Sequence, residues 1–157
     1  MKGNDGSGDK PRRDLWETPH HLWLNLYQKY KFDFDCCASS ENRKTERYSS
    51  DFENVDIVWG CAWMNPPFSK AKRMFEHFFK VVDKGVAIYR CDNLETEIWQ
   101  KAILPYADWI FFFRGRVNYT GMTGRGSRFP SALIGVGVKS PEGFEGITLI
   151  RGKEADK

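Results

Sequence analysis

Residues 61–82 constrain the fold of this chain more than any other stretch. The apolar run Cys61 to Met64 meets Asn65-Pro66-Pro67-Phe68, and beyond Ser69 the residues Met74, Phe75, Phe78, Phe79 and Val82 form a broad apolar stripe at helical spacing. Each proline fixes its own φ and pushes the preceding residue toward extended geometry, so no regular element runs through residues 65–67. The chain passes here from a strand to a helix, which Ser69 is placed to cap. The same alternation recurs on both sides. Thr18-Pro19 supplies an N-cap hydroxyl and a first-turn proline for a helix ending near Lys31, with Trp23, Leu26, Tyr27 and Tyr30 on one face. "FDFDCCAS" alternates apolar and acidic residues and reads as a strand over residues 32–37 that presents Asp35 at its end. Residues 41–52 are polar and without period, hence loop. Further strands are expected at 55–59, 86–90, 108–113, 131–138 and 146–150, with Gly85 stopping the second helix and a third helix over 95–104. Strands interleaved with helices predict an α/β fold, an open and mainly parallel sheet with an antiparallel region at its end.

A chain of 157 residues with 41% hydrophobic content builds one core, so a single domain over residues 14–152 is expected. Residues 1–13 hold no apolar side chain after Met1 and read as a flexible lead-in, and 153–157 as a flexible end. No run resembles a secretory h-region or a membrane span, which predicts a soluble, intracellular protein without a membrane partner. Cys36, Cys37, Cys61 and Cys91 lack C-x-x-C spacing, and His20, His21 and His77 are scattered, so no disulfide framework and no metal site is expected. Net charge is only +3, yet Lys70, Lys72 and Arg73 follow the double proline, and Arg114, Arg116, Arg125 and Arg128 crowd a Gly-rich stretch, residues 114–130. Such clusters suit a solvated surface or a nucleic-acid backbone equally well.

Ligands of open α/β sheets sit beyond the carboxyl ends of the strands, where Asn65 emerges. There the Pro66 carbonyl is kept out of any helix, Asn65 adds a side-chain acceptor, and Phe68 adds a flat apolar face. Two acceptors beside a ring match an exocyclic amine on a nucleobase. Its lone pair is delocalised, and accepting both hydrogens moves the nitrogen toward a tetrahedral, more reactive state. Phe68 would stack on a base taken out of the helix, and the sulfonium methyl of S-adenosylmethionine (AdoMet) would be a suitable electrophile. The alternative for the four residues alone is a rigid turn.

In order along the chain, "WETPHHLWLNL", "FDFDCCASSENRKTERY", "WGCAWMNPPFSKA", Trp99 after an α/β unit, "FFFRGRVNY" and "FPSALIGV" together resemble the phage-type DNA N6-adenine methyltransferase (Dam) family over roughly residues 15–138. The resemblance implies a compact Rossmann-like methyltransferase fold and methyl transfer from AdoMet to adenine N6 in DNA. Asn65, Pro66, Pro67 and Phe68 correspond to its catalytic N/D-P-P-Y/F motif. It implies cofactor contacts from Trp16, Thr18 and Pro19 at the methionine end, from Asp35, Cys36 and Ala38 after the first strand, and from Asp51-Phe52 at the adenine. With no separate recognition domain, DNA contacts fall to Lys70, Lys72, Arg114, Arg116, Arg125 and Arg128. One departure is that "CCASSEN" holds no glycine where many methyltransferases let the backbone approach the cofactor. Two rival readings remain: a catalytically silent relative that binds DNA or a host protein, and an enzyme acting on cytosine N4 or a protein amide. The sequence leaves monomer and homodimer open.

Overall fold

The computed structural model of the chain describes residues 14–121, 127 and 129–152, so the expected tails at 1–13 and 153–157 and the side chains of Arg125 and Arg128 lie outside the described residues. The chain is α/β. Helix α1 (His20–Tyr30) leads into β1 (Phe34–Asp35) and β2 (Arg47–Tyr48). Then come β3 (Cys61–Met64), helix α2 (Ala71–Val81), β4 (Lys84–Arg90), a six-residue π-helical segment (Ile98–Ile103), β5 (Trp109–Phe113), β6 (Ser131–Val136) and β7 (Gly146–Ile150). The strands form one seven-stranded sheet in the order β2-β1-β3-β4-β6-β5-β7. Its β2, β1, β3 and β4 are mutually parallel, whereas β6 runs against both β4 and β5, and β7 against β5. The sheet is therefore mixed, with antiparallel pairing as frequent as parallel. Two successive reversals return β5 to the direction of β1, β3 and β4, so all four end on one edge.

Alternation along the strands divides the core between the two faces of the sheet, because successive side chains of a strand point opposite ways. Ala62, Met64, Ala87, Tyr89, Ala132 and Ile134 face α2 and the π-helical segment, where Phe75, Phe78, Trp99 and Ile103 are buried. Cys61, Trp63, Val86, Ile88 and Leu133 face α1, packing with Trp23, Leu26 and Phe32. Each such large apolar side chain, fully buried, contributes about 1.5–3 kcal/mol. Among the described residues no helix is long and apolar enough to cross a membrane.

Four local expectations fail for physical reasons. Residues 41–52 are not all loop: Arg47 and Tyr48 pair in parallel with Phe34 and Asp35 as β2, an exposed edge strand with no buried face to give it a period. Residues 55–59 are not a strand: Val58 is buried but Ile57 and Trp59 point to solvent, and Gly60 at φ 81° turns the chain before pairing begins at Cys61. A side chain at Gly60 would overlap the Asp33 carboxylate, which accepts the Cys61 N–H at 2.8 Å. Gly85 does not stop a helix. Helix α2 already ends at Val81, with Val82 as its C-cap, and Gly85 lies inside β4, where a methyl group would meet the Ala62 carbonyl at 2.9 Å. Neither presumed cap acts as one. Pro19 holds the N-cap position of α1, and Ser69 sits in a 3₁₀ turn (Phe68–Lys70) with its backbone and hydroxyl both hydrogen-bonded to the Asp14 carboxylate.

Candidate functional site

Because β1 and β3 are adjacent and parallel, Asp35 and Asn65 leave the sheet side by side. Between them opens a cleft of about 240 Å³. Its walls include Trp16, Thr18, Asp35, Cys36, Ala38, Asp51, Phe52, Asn65, Pro67 and Lys70. The sequence thus names residues from four separate segments that the fold brings together.

Asp35 is 3% exposed. Its Oδ2 accepts the Lys44 N–H at 3.0 Å and its Oδ1 the Cys37 N–H at 3.4 Å, while Ser39 and Asn42 close the intervening turn through the Ser39 N–H to Asn42 Oδ1 bond of 2.7 Å. A loop without glycine is therefore wound around a buried carboxylate. Burial pushes this carboxyl up from 3.8 to about 6, with the two backbone hydrogen bonds and the Lys44 charge pulling in the opposite direction. Burial likewise raises the thiols of Cys36 and Cys37, with the Asp35 charge adding to the effect, so neither is a thiolate nucleophile at neutral pH.

Asn65 donates from Nδ2 to the Trp16 carbonyl at 3.2 Å and to Thr18 Oγ1 at 3.3 Å. A carbonyl oxygen accepts only, so the amide can take one orientation, with Oδ1 turned away as a spare acceptor. For the same reason Thr18 Oγ1 is the acceptor in its contact. Its own hydroxyl proton is left to donate, from a residue 1% exposed that lines the cleft. The Pro67 carbonyl accepts the Lys70 N–H at 3.0 Å, while the Pro66 carbonyl has no hydrogen bond among the described residues.

Phe68 lies apart from the cleft walls, half-buried among Trp16, Tyr89, Tyr119 and Phe129, whose ring centroids lie 5.5–6.2 Å from its own. Trp16 belongs to both regions. Arg90, at the end of β4, places its guanidinium 4.5 Å over Phe129 and 6.0 Å over Phe68, and Asp92 holds it by two bonds of 2.7 and 2.6 Å.

The remaining named residues fall elsewhere. Pro66 is buried and does not line the cleft. Pro19, Arg114 and Arg116 line a second groove, and Lys72 points to Glu97 at 3.1 Å on the far side of α2. Asp14, Ser39, Asn42, Lys44 and Trp63 line the cleft without having been singled out. Asn42 and Lys44 sit in a polar run with no period, and no local pattern marks them. Among the described residues no group of three or more His, Cys, Asp or Glu could hold a metal ion.

Comparison with known proteins adds an independent line. The family model described as DNA N-6-adenine-methyltransferase (Dam) matches residues 6–130. A DNA N-6-adenine-methyltransferase of Escherichia phage T1 is 40% identical over 63 residues, which is 37% of this chain and 26% of that protein. One from Haemophilus phage HP1 is 36% identical over 73 residues, 43% of this chain and 40% of that protein. The chain thus matches less than half the length of either relative. No solved structure matches.

Proposed function

The chain belongs to the DNA N-6-adenine-methyltransferase (Dam) family, and from that premise we propose that it transfers the methyl group of AdoMet to the N6 amine of adenine in DNA on a Rossmann-like methyltransferase fold. The observation that carries this reading is the single orientation of the Asn65 amide, which leaves Oδ1 as a spare acceptor one residue before the Pro66 carbonyl, itself without a hydrogen bond among the described residues. Two adjacent acceptors take the two hydrogens of one exocyclic amine. They localise its lone pair and stabilise the positive charge that grows on nitrogen as the bond to carbon forms.

The donor set of the cleft suits AdoMet. The buried Asp35 carboxylate is short of compensation, and an ammonium or ribose hydroxyls would supply it. The spare Thr18 proton suits a carboxylate, and Phe52 offers an apolar face to an adenine. Bound there, AdoMet would supply an electron-poor methyl group. Thr18 would then touch both partners, since it lines the cleft and holds the Asn65 amide. Phe68 would stack on the flipped base once the neighbouring aromatic side chains give way.

The test is transfer of a labelled AdoMet methyl group to unmethylated DNA by the wild type and by Asn65→Ala, with nucleoside analysis of the product. The expected result is label in N6-methyladenine that is lost in the variant, with AdoMet affinity nearly intact. Label in N4-methylcytosine or in protein would reassign the acceptor, and no label with AdoMet bound would sink the enzymatic reading.

A further inference from the structure

Resting on the reading that DNA is the substrate, we infer that the groove between α1 and residues 113–118 is a second DNA site, one that grips the phosphodiester backbone a few nucleotides from the target base.

The sheet places it. Strand β5 ends on the same edge as β3, and three inter-strand steps, β3-β4-β6-β5, separate them. At about 4.8 Å per step the two ends lie ~14 Å apart. One DNA strand rises about 3.4 Å per nucleotide, so DNA lying along this edge with its target at Asn65 would bring a phosphate about four nucleotides away to the groove.

The chemistry of the rim is that of an anion site. Asn118 Oδ1 accepts the Ser127 N–H at 3.0 Å, which orients the amide so that its NH₂ group is left to donate. Arg116 spends one N–H on the Ser127 carbonyl at 3.1 Å and makes no other hydrogen bond among the described residues, with the Asp92 carboxylate near enough to feel its charge. Arg114 pairs with Glu145 at 3.1 Å, but both side chains are 79% exposed, and such a surface pair is weak enough to exchange for phosphate. Asn25 adds an exposed amide from α1. Apart from Glu145, a rim rich in donors suits acceptor-only phosphate oxygens better than base edges, which present donors as well.

The groove is also fixed to the cleft. Glu17 and Thr120 exchange two backbone hydrogen bonds, of 2.9 and 2.8 Å, joining the arginine segment to the Trp16 wall. Thr18 lines the cleft and Pro19 the groove. A backbone held in the groove would therefore be in register with the chemistry at Asn65.

The experiment is fluorescence anisotropy of a short labelled duplex, titrated at several salt concentrations with wild type, Arg116→Ala and Asn25→Asp. Asn25→Asp guards against misfolding, because it changes only an exposed face of α1. The expected result is weaker binding by both variants on any sequence, with Arg116→Ala reducing the steepness of log affinity against log salt by about one. Variants indistinguishable from wild type, or a wild type that does not bind the duplex, would overturn the groove. Methyl transfer by the wild type on the same duplex judges the underlying reading separately: transfer with variant-insensitive binding keeps the reading and removes the groove. Groove-dependent binding without transfer does the reverse.

Discussion

Replacing Thr18 by valine tests the orientation of Asn65 at its weakest restraint. The side chains are nearly equal in shape, and Thr18 is 1% exposed, so the substitution removes a hydroxyl and little else. Asn65 then keeps the Trp16 carbonyl at 3.2 Å and loses the Thr18 contact at 3.3 Å. Both bonds lie near the long end of the normal range, so the lost one is worth about 0.5–1.5 kcal/mol net. If that bond holds the acceptor on target in the transition state, kcat falls about 2- to 12-fold. Thr18→Ser retains the hydroxyl and stays within about twofold of wild type. The assay is steady-state methyl transfer at saturating AdoMet and DNA, because a contact from Thr18 to the cofactor alone would alter the KM for AdoMet and leave kcat in place. A valine variant with wild-type kcat and a raised KM would refute the positioning role and leave Thr18 to the cofactor.

Asp35 makes stability depend on pH in a direction opposite to that of most carboxylates. Its native carboxyl keeps a proton up to about 6 against 3.8 for the ordinary group, so the native state binds more protons than the unfolded one. Its contribution is therefore fully present below about pH 4 and is lost, by about 3 kcal/mol, as pH rises through 6. Chemical denaturation at intervals across this window should show that slope as the difference between wild type and Asp35→Asn; a constant difference would count against the burial argument. AdoMet affinity should rise over the same interval as the carboxylate ionises, and isothermal calorimetry would reveal it. Gly135→Ala is expected to destabilise by about 1–3 kcal/mol or more, since its methyl group would overlap the Trp109 indole, which is anchored to the Val138 carbonyl at 2.8 Å. An unchanged melting temperature would mean that Trp109 is free to move.

The parts of this architecture legible in the sequence are those set by apolar runs and by helical period. Strands β3, β4, β5 and β6 are legible as short apolar runs that the fold buries almost continuously, the stripe of α2 follows from helical spacing, and the double proline fixes where β3 must give way. The misreadings arise where a residue serves a distant partner. Val55, Ile57 and Trp59 have strand spacing, but the Gly60 turn and the pairing of Asp33 with Cys61 decide where the ladder starts. Thr18 has the signature of a cap, yet its hydroxyl serves a residue 47 positions away. The missing glycine after β1 raised a difficulty that the fold resolves differently, since Asp35 draws the loop around its own carboxylate and no left-handed residue is needed there.

These non-local contacts carry most of the chemical argument. A sequence names asparagine but does not say which end of its amide faces a substrate, and the two ends have opposite chemistry. Here the Trp16 carbonyl decides it and the Thr18 hydroxyl accepts the second N–H, both from the segment just before α1. The same segment lines the cleft, packs Trp16 against Phe68 and pairs with Thr120 beside the second groove. One stretch of backbone thus touches the cleft, the Asn65 amide and the second groove, so the proposed cofactor, amine and DNA contacts would be held in one register. Shifting that stretch should therefore disturb the three together, whereas Asn65→Ala should disturb only transfer.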